Sequence, residues 1–414
     1  MIKSFHSQFR DPVPTSYLYS ALFFASVGVF ASSASILVAI AGLFALWRLY
    51  ITKSLKRISI DGEGLVWAAV IAYYGAGAFS AVMNPSDSES VAQLGERIPF
   101  LFLPLLLQFF SQADPDKLLS WSAKGACLGV FIVFAYWGLF DQFRVTRITA
   151  LSGNSNVLGY MCCLLFVFLC LGVAGLTDKK IKLVYTIAVV LCVILVASSG
   201  SRGSLLTVVS ISVIMVWLHG PWRAIWTRTL VITFMVGIIT IFASTSIVGK
   251  RSLALVDEVV QSDLDLSKFD PKRVAIWTCG VQIGMEAPIF GRGHDEALDE
   301  MKSCTSNSFE RALRFSHFHN LFVDQFAKAG GVGLFPAIFL WLLPVLLLIC
   351  TRYHKAVSPT LTAGILGIWS VQTTGALFNI GFGHDAVDAG FIYTNALLFG
   401  VINARFRCEA APET

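Results

Sequence analysis

The chain has 414 residues, of which 56% are hydrophobic and only 14% charged, with a formal net charge of +5 and a mean hydropathy of +0.70. A soluble domain carries about 25% charged residues, so these values exclude an ordinary water-soluble globule. The small, scattered positive excess excludes a nucleic-acid-binding stripe.

Lys3 and Arg10 precede the first apolar run, which starts near Tyr17. A cleavable signal peptide fits that pattern, but the second run follows almost at once, so a retained first helix is expected. Apolar runs then recur near 17–32, 35–52, 65–83, 98–112, 119–140, 156–176, 183–199, 204–218, 229–248, 332–350, 360–380 and 386–403. Each is long enough to approach or cross a hydrocarbon core about 30 Å thick as a helix. Backbone groups in lipid must be satisfied internally, and the period-2 alternation of a membrane barrel is absent. The expected fold is therefore an all-α polytopic membrane protein of about twelve transmembrane helices with one large periplasmic loop. It divides into spans one to nine (1–248), the large loop with helices of its own (249–317), and spans ten to twelve with a short cytoplasmic tail (318–414).

Lys/Arg excess marks cytoplasmic loops. A cytoplasmic N-terminus puts Lys53, Lys56, Arg57, Lys179, Lys180, Lys182, Arg223, Arg228, Arg352, Lys355, Arg405 and Arg407 on the inside. The C-terminus is then inside as well, and Asp87, Glu89 and the 249–317 loop lie outside. Arg144, Arg147 and Arg202 oppose the bias. Snorkelling to the interface accounts for Arg144 and Arg147 as readily as a substrate contact does.

Several polar motifs fall on the outer face. Gly153-Asn154-Ser155-Asn156 opens the sixth span; Asn154 and Asn156 suit either a helix cap or a sugar hydroxyl. Ser199-Gly200-Ser201-Arg202-Gly203-Ser204 sets one Arg among small residues, a reader of phosphate or a tight inter-helix turn. Asp270-Pro271-Lys272-Arg273 starts a helix in the large loop, with Arg273 in its first turn, and a Pro288–Gly293 turn ends it. Arg314-Phe315-Ser316-His317-Phe318-His319-Asn320 precedes Gly330-Gly331-Val332-Gly333. A His there can act as general base near neutral pH. His317 and His319 would point to different faces of a helix, so one catalytic His is expected, and a metal pair is disfavoured. Asp385 lies in the last outside turn, after Gly381-Phe382-Gly383-His384. Of the nine cysteines, only Cys279 and Cys304 share the long loop, where they could pair if the loop is outside the cytosol. No CxxC or HExxH spacing argues for a metal.

The arrangement resembles the O-antigen ligase family of the ligase and polymerase superfamily. The resemblance rests on His319-Asn320, the stretch 321–329 and Gly330-Gly331-Val332-Gly333, together with Arg202 and Arg273; Gly153 to Asn156 matches more loosely, with Ser155 where Pro is common. The resemblance implies a GT-C-like, metal-independent, inverting glycosyltransferase of the cell inner membrane with no cofactor. Its donor would be a glycan on undecaprenyl diphosphate and its acceptor a lipid A-core hydroxyl, met among membrane lipid at the periplasmic face. In that reading His319, Arg202 and Arg273 are catalytic. Arg144, Arg147, Asn154, Asn156, His317, Asn320 and Asp385 bind substrate. A polymerase using the same donor, and a non-catalytic transporter, are the alternatives.

Overall fold

The structure is a computed structural model, and it describes residues 13–27, 31–51, 62–84, 88–140, 143, 148–150, 153–175, 178–219, 271–305, 317–350, 357–378 and 381–410. Every regular element among them is helical. In chain order they are α1 (Val13–Val27), α2 (Ala31–Ile51), α3 (Glu63–Met83), α4 (Ser88–Arg97), a 3₁₀ turn (Ile98–Leu101), α5 (Phe102–Phe110) and α6 (Pro115–Phe140). Then follow α7 (Ser155–Gly175), α8 (Lys179–Ser199), α9 (Arg202–His219), α10 (Pro271–Glu286), α11 (His294–Thr305), α12 (Leu321–Ile349), α13 (Pro359–Phe378) and α14 (Asp385–Ala410).

Eight of these helices are long and apolar enough to cross a membrane: α2, α3, α6, α7, α8, α12, α13 and α14. The protein is thus a polytopic integral membrane protein. The eighth expected span is the shorter apolar helix α9. The first is α1, of 15 residues. The fourth, 98–112, is broken: Pro99 sits in the 3₁₀ turn, and only nine residues continue as α5. The ninth expected span, 229–248, and stretches 249–270 and 306–316 of the long loop lie outside the described residues.

α14 is the hub. Its membrane-length window is 94% buried, against 33% for α2, α3 and α12, and it packs on α2, α5, α6, α7 and α13. Its lining makes this possible, since Ala389, Gly390, Ala396 and Gly400 let α7 and α5 approach closely. α1 and α6 meet by the same device. Gly125 and Gly129, one turn apart on α6, lie against the backbone of Ala21 and Phe24, and Ser20 Oγ and Ser122 Oγ share a hydrogen bond of 2.6 Å beside them. Small residues at such spacing bring backbones together in lipid, where no hydrophobic effect drives helices to associate.

A second, smaller core stands apart from the bundle. Ile276, Cys279 and Ile283 of α10 pack on Ala297, Leu298 and Met301 of α11, and on Phe318 and Ala327 at the start of α12. Cys279 and Cys304 form a disulfide within it, with Cα atoms 6.2 Å apart. α12 therefore serves two cores. It begins at Leu321, earlier than the expected 332, and is interrupted at Gly330 (φ 59°, ψ −153°). The 19 residues after the break span about 28 Å at 1.5 Å per residue, which is the membrane-crossing part that hydropathy picks out.

The break is closed by an exchange of hydrogen bonds. In an unbroken helix Gly331 N–H would reach Ala327 O, and Val332 N–H would reach Lys328 O. Instead Gly331 N–H donates to Pro288 O (2.8 Å) and Val332 N–H to Ile289 O (3.1 Å), while Arg292 N–H donates to Ala327 O (3.0 Å) and Gly293 N–H to Lys328 O (2.9 Å). All four groups are satisfied, as buried backbone requires. The Pro288–Gly293 turn and the Gly330–Gly333 motif, far apart in the sequence, are one interlocked joint.

Candidate functional site

The site is built on the turn that enters α12. Asn320 is the N-cap: its Oδ1 accepts from Phe322 N–H (3.0 Å) and Val323 N–H (3.2 Å), and its Nδ2 donates to Leu377 O at the end of α13 (3.4 Å). Capping oxygens of this kind satisfy the orphan amides of a first turn. Phe318, fully buried, anchors the turn from below, and its N–H donates to Asp324 Oδ1 (3.2 Å). Asp324 also pairs with Lys328 at 2.9 Å, both nearly inaccessible. Arg97 reaches in from α4: Nη1 donates to Tyr73 O and Nη2 to Gln325 Oε1, each at 3.0 Å, with the guanidinium 4.5 Å from the Tyr73 ring centroid.

Between these anchors lies His319, whose φ of 54° puts a non-glycine residue in the left-handed region, an arrangement that costs of order 1–3 kcal/mol and gathers at functional sites. Helical spacing would have sent the two histidines to different faces. They are not on a helix, and His317 Nε2 and His319 Nδ1 are 2.9 Å apart, with ring centroids at 4.2 Å. Burial and the charge of its neighbours lower the pKa of both rings. His319 is brought down to about 3, by burial first, then by His317 and by the cation of Arg273. His317 is brought down to about 4, chiefly by burial, with Lys328 and His384 adding to the effect and Asp324 opposing it. Both imidazoles are neutral at pH 7.

Arg273, half-buried in the first turn of α10, lies near enough to His319 for its charge to act on that ring. α10 runs alongside α12 in the same direction, with Gly280 against Phe318 and Val323, and Gly284 against Phe326. The Ser199–Ser204 turn lies at the same end of the bundle. Gly200 closes α8 in the left-handed region (φ 66°), and Ser201 heads α9, its carbonyl accepting from Leu205 N–H (3.1 Å). Gly159 of α7 packs among Ser199, Ser201 and Ser204, and Gly203 lies against Thr374 and Phe378 of α13. Arg202, the first residue of α9, is exposed there. Asn320 is tied to Leu377 of the same α13 terminus. Arg202 and the His319 turn thus flank one helix end.

Asn154 acts as a cap, its Oδ1 accepting from Asn156 N–H at 2.9 Å, and Ser155 behind it is buried. Asp385 is exposed at the start of α14, after a turn in which Asp388 accepts from Gly383 N–H (3.0 Å). Arg144 and Arg147 lie outside the described residues. The N-termini of α7, α9, α12 and α14 gather at this end, and helix N-termini favour anions. Arg292 is engaged elsewhere, with Glu286 (2.7 Å) and Glu296 (3.6 Å) at the corner of α10 and α11. Among the described residues no three His, Cys, Asp or Glu side chains are grouped to hold a metal ion.

Sequence reasoning missed Asp324, Lys328, Arg97 and His384. The i,i+4 spacing of Asp324 and Lys328 is a signal that was available; Arg97 and Gln325, 228 residues apart, carry none.

Two comparisons with known proteins bear on this site. Residues 187–338 match the family model for O-Antigen ligase. The match takes in the Arg202 turn, Arg273, the His319 turn and the joint at Gly330. An uncharacterized protein of Haemophilus influenzae is 24% identical over 321 residues, which cover 73% of this chain and 77% of its own length.

Proposed function

Because the chain belongs to the O-antigen ligase family, we propose that it transfers a glycan from undecaprenyl diphosphate to a sugar hydroxyl of lipid A-core. The reaction takes place at the periplasmic face of the inner membrane, with inversion and without a metal. His319 removes the proton of the acceptor hydroxyl. Arg273 and Arg202 stabilise the diphosphate as it leaves, where negative charge develops. Asn154, Asn156, Asp385, Arg144 and Arg147 are proposed to contact the glycans. One observation carries the reading: a neutral imidazole, held at a left-handed residue and under the field of Arg273, at the end of the bundle where helix N-termini converge. A polyanion and a general base would be served at the same end of the bundle.

Two further features support the outward orientation. The disulfide between Cys279 and Cys304 belongs to an oxidising compartment. Lys179, Lys180 and Lys182 occupy the opposite end of α8 from the Ser199–Ser204 turn, as cytoplasmic residues would.

The test is transfer from lipid-linked donor to purified lipid A-core with chelator present. General-base assistance is worth typically ~10²–10⁴-fold, so His319→Ala should lose at least that order of rate while still reaching the membrane. Arg273→Ala and Arg202→Ala should each cost roughly 10²–10³-fold. Transfer by His319→Ala at the wild-type rate would end this mechanism. A ladder of lengthened donor with no lipid A-core product would assign a polymerase.

A further inference from the structure

We infer that His317 is a positioning residue that accepts a hydrogen bond from His319 and thereby fixes which nitrogen of His319 takes up the substrate proton. The inference rests on the base role of His319 proposed above, and assigns His317 a different part from the substrate contact expected of it.

The 2.9 Å contact joins His317 Nε2 to His319 Nδ1, with the rings inclined at 69°. Both rings are neutral, so one of the two nitrogens carries the proton and the other accepts it. The two possibilities differ chemically. If His317 Nε2–H donates, His319 accepts at Nδ1 and carries its own proton on Nε2. That ring has no lone pair left to take a proton from substrate. If His319 Nδ1–H donates to His317 Nε2, the lone pair of His319 lies on Nε2, and His317 carries its proton on Nδ1. Only the second arrangement makes His319 a base. A partner on the far nitrogen is the usual way a catalytic imidazole has its tautomer and ring orientation set.

The step then balances. The acceptor O–H bond breaks and its proton goes to His319 Nε2. The hydroxyl oxygen bonds to the anomeric carbon as the bond from that carbon to the diphosphate oxygen breaks, and the electron pair leaves with the diphosphate. His319 becomes an imidazolium whose Nδ1–H still points at the lone pair of His317, a stronger hydrogen bond than before because the donor is now charged. A neutral partner suits this site. Among the described residues, the titratable groups that act on His319 include His317 on its own turn, Arg273 on α10 and Asp324 on α12, while Lys328 of α12 and His384 before α14 act on His317. Asp324, shared with Lys328, favours the imidazolium in part, and the departing diphosphate adds a second anion as the proton is taken up.

Steady-state transfer by full-length, membrane-extracted variants tests this, with lipid-linked donor and lipid A-core varied separately. His317→Phe keeps a ring and removes the acceptor. Its kcat should fall at least about 10-fold, short of the ~10⁴-fold seen when a triad imidazole is locked in the wrong tautomer, with donor KM nearly unchanged. His317→Glu supplies an acceptor that cannot donate. It should recover much of the lost rate and move the acid limb of kcat to higher pH, because a carboxylate favours the imidazolium. A packing role would move neither the limb nor the split between kcat and KM. If the carboxylate prevents folding, His317→Gln serves as the uncharged acceptor and must exceed His317→Phe in kcat. Wild-type kcat in His317→Phe overturns the inference, as does a folded Glu or Gln variant no faster than Phe. Activity in the His319→Ala control would instead bring down the base role itself.

Discussion

A left-handed histidine is an uncommon device, and at His319 the surrounding contacts maintain it: the Asn320 cap on one side, buried Phe318 on the other, and the His317 ring in front. The same enclosure sets the charge state. Burial and the nearby Arg273 cation bring the His319 pKa down to about 3 from an ordinary 6.5. A lowered pKa leaves the base form present at every pH above it and removes it only as the pH falls through the lowered value. The acid limb of kcat/KM, which reports the free enzyme, should therefore lie well below pH 6.5. A limb at or above 6.5 would mean that another group controls it. The residue types at this site were legible in the sequence, since His319, Asn320, Arg202 and Arg273 stand out by motif. The backbone twist that turns two histidines toward each other was not, because a positive φ at a non-glycine position leaves no trace in residue order.

At the scale of elements, the joint between the Pro288–Gly293 turn and α12 explains glycines that the motif alone leaves unexplained. Gly330 and Gly291 are both in the left-handed region, and a Cβ on either would meet the backbone of the other strand of the joint. Gly331 meets only Phe335, an exposed side chain, at 3.3 Å, and the carbonyl of Pro288 at 3.5 Å. Gly330→Ala should destabilise the protein by roughly 1–3 kcal/mol from the backbone conformation alone. Gly331→Ala should lie within about 1 kcal/mol of wild type, since alanine is the better helix former. Thermal unfolding in detergent of the two variants checks this; equal losses would show that the break is not what requires glycine. Hydropathy placed the tenth span at 332–350 because 321–329 carries Asp324, Gln325 and Lys328. Their burial depends on partners in α3, α4 and the small core, which local composition does not reveal. The fourth span misled for the opposite reason: 98–112 is largely apolar, but it opens as a 3₁₀ turn at Ile98–Leu101 and its α-helix ends at Phe110, too short to cross a membrane.

For the whole molecule, the apolar helices and the gathering of the motifs toward one end of the bundle followed from run length and charge alone, whereas the two-core plan did not. The small core of α10 and α11 draws Phe318 and Ala327 from beyond the expected loop boundary at 317. Its disulfide closes a separation of 25 residues, and a loop of that size is worth about 3 kcal/mol in the chain-entropy view. Cys279→Ser should lower the stability of this unit by roughly that amount. It should also reduce transfer, because Arg273 rides on the same helix as Cys279. Proteolysis within 271–305 with and without reductant reads the first effect; unchanged susceptibility would show that the crosslink contributes nothing. α12 begins in this unit, turns at Gly330 and ends as a bundle helix, and the proposed base sits just before its first residue. A glycan that tilts α10 and α11 as it docks must therefore swing the imidazole along with them, so that grip and reaction move on a single lever.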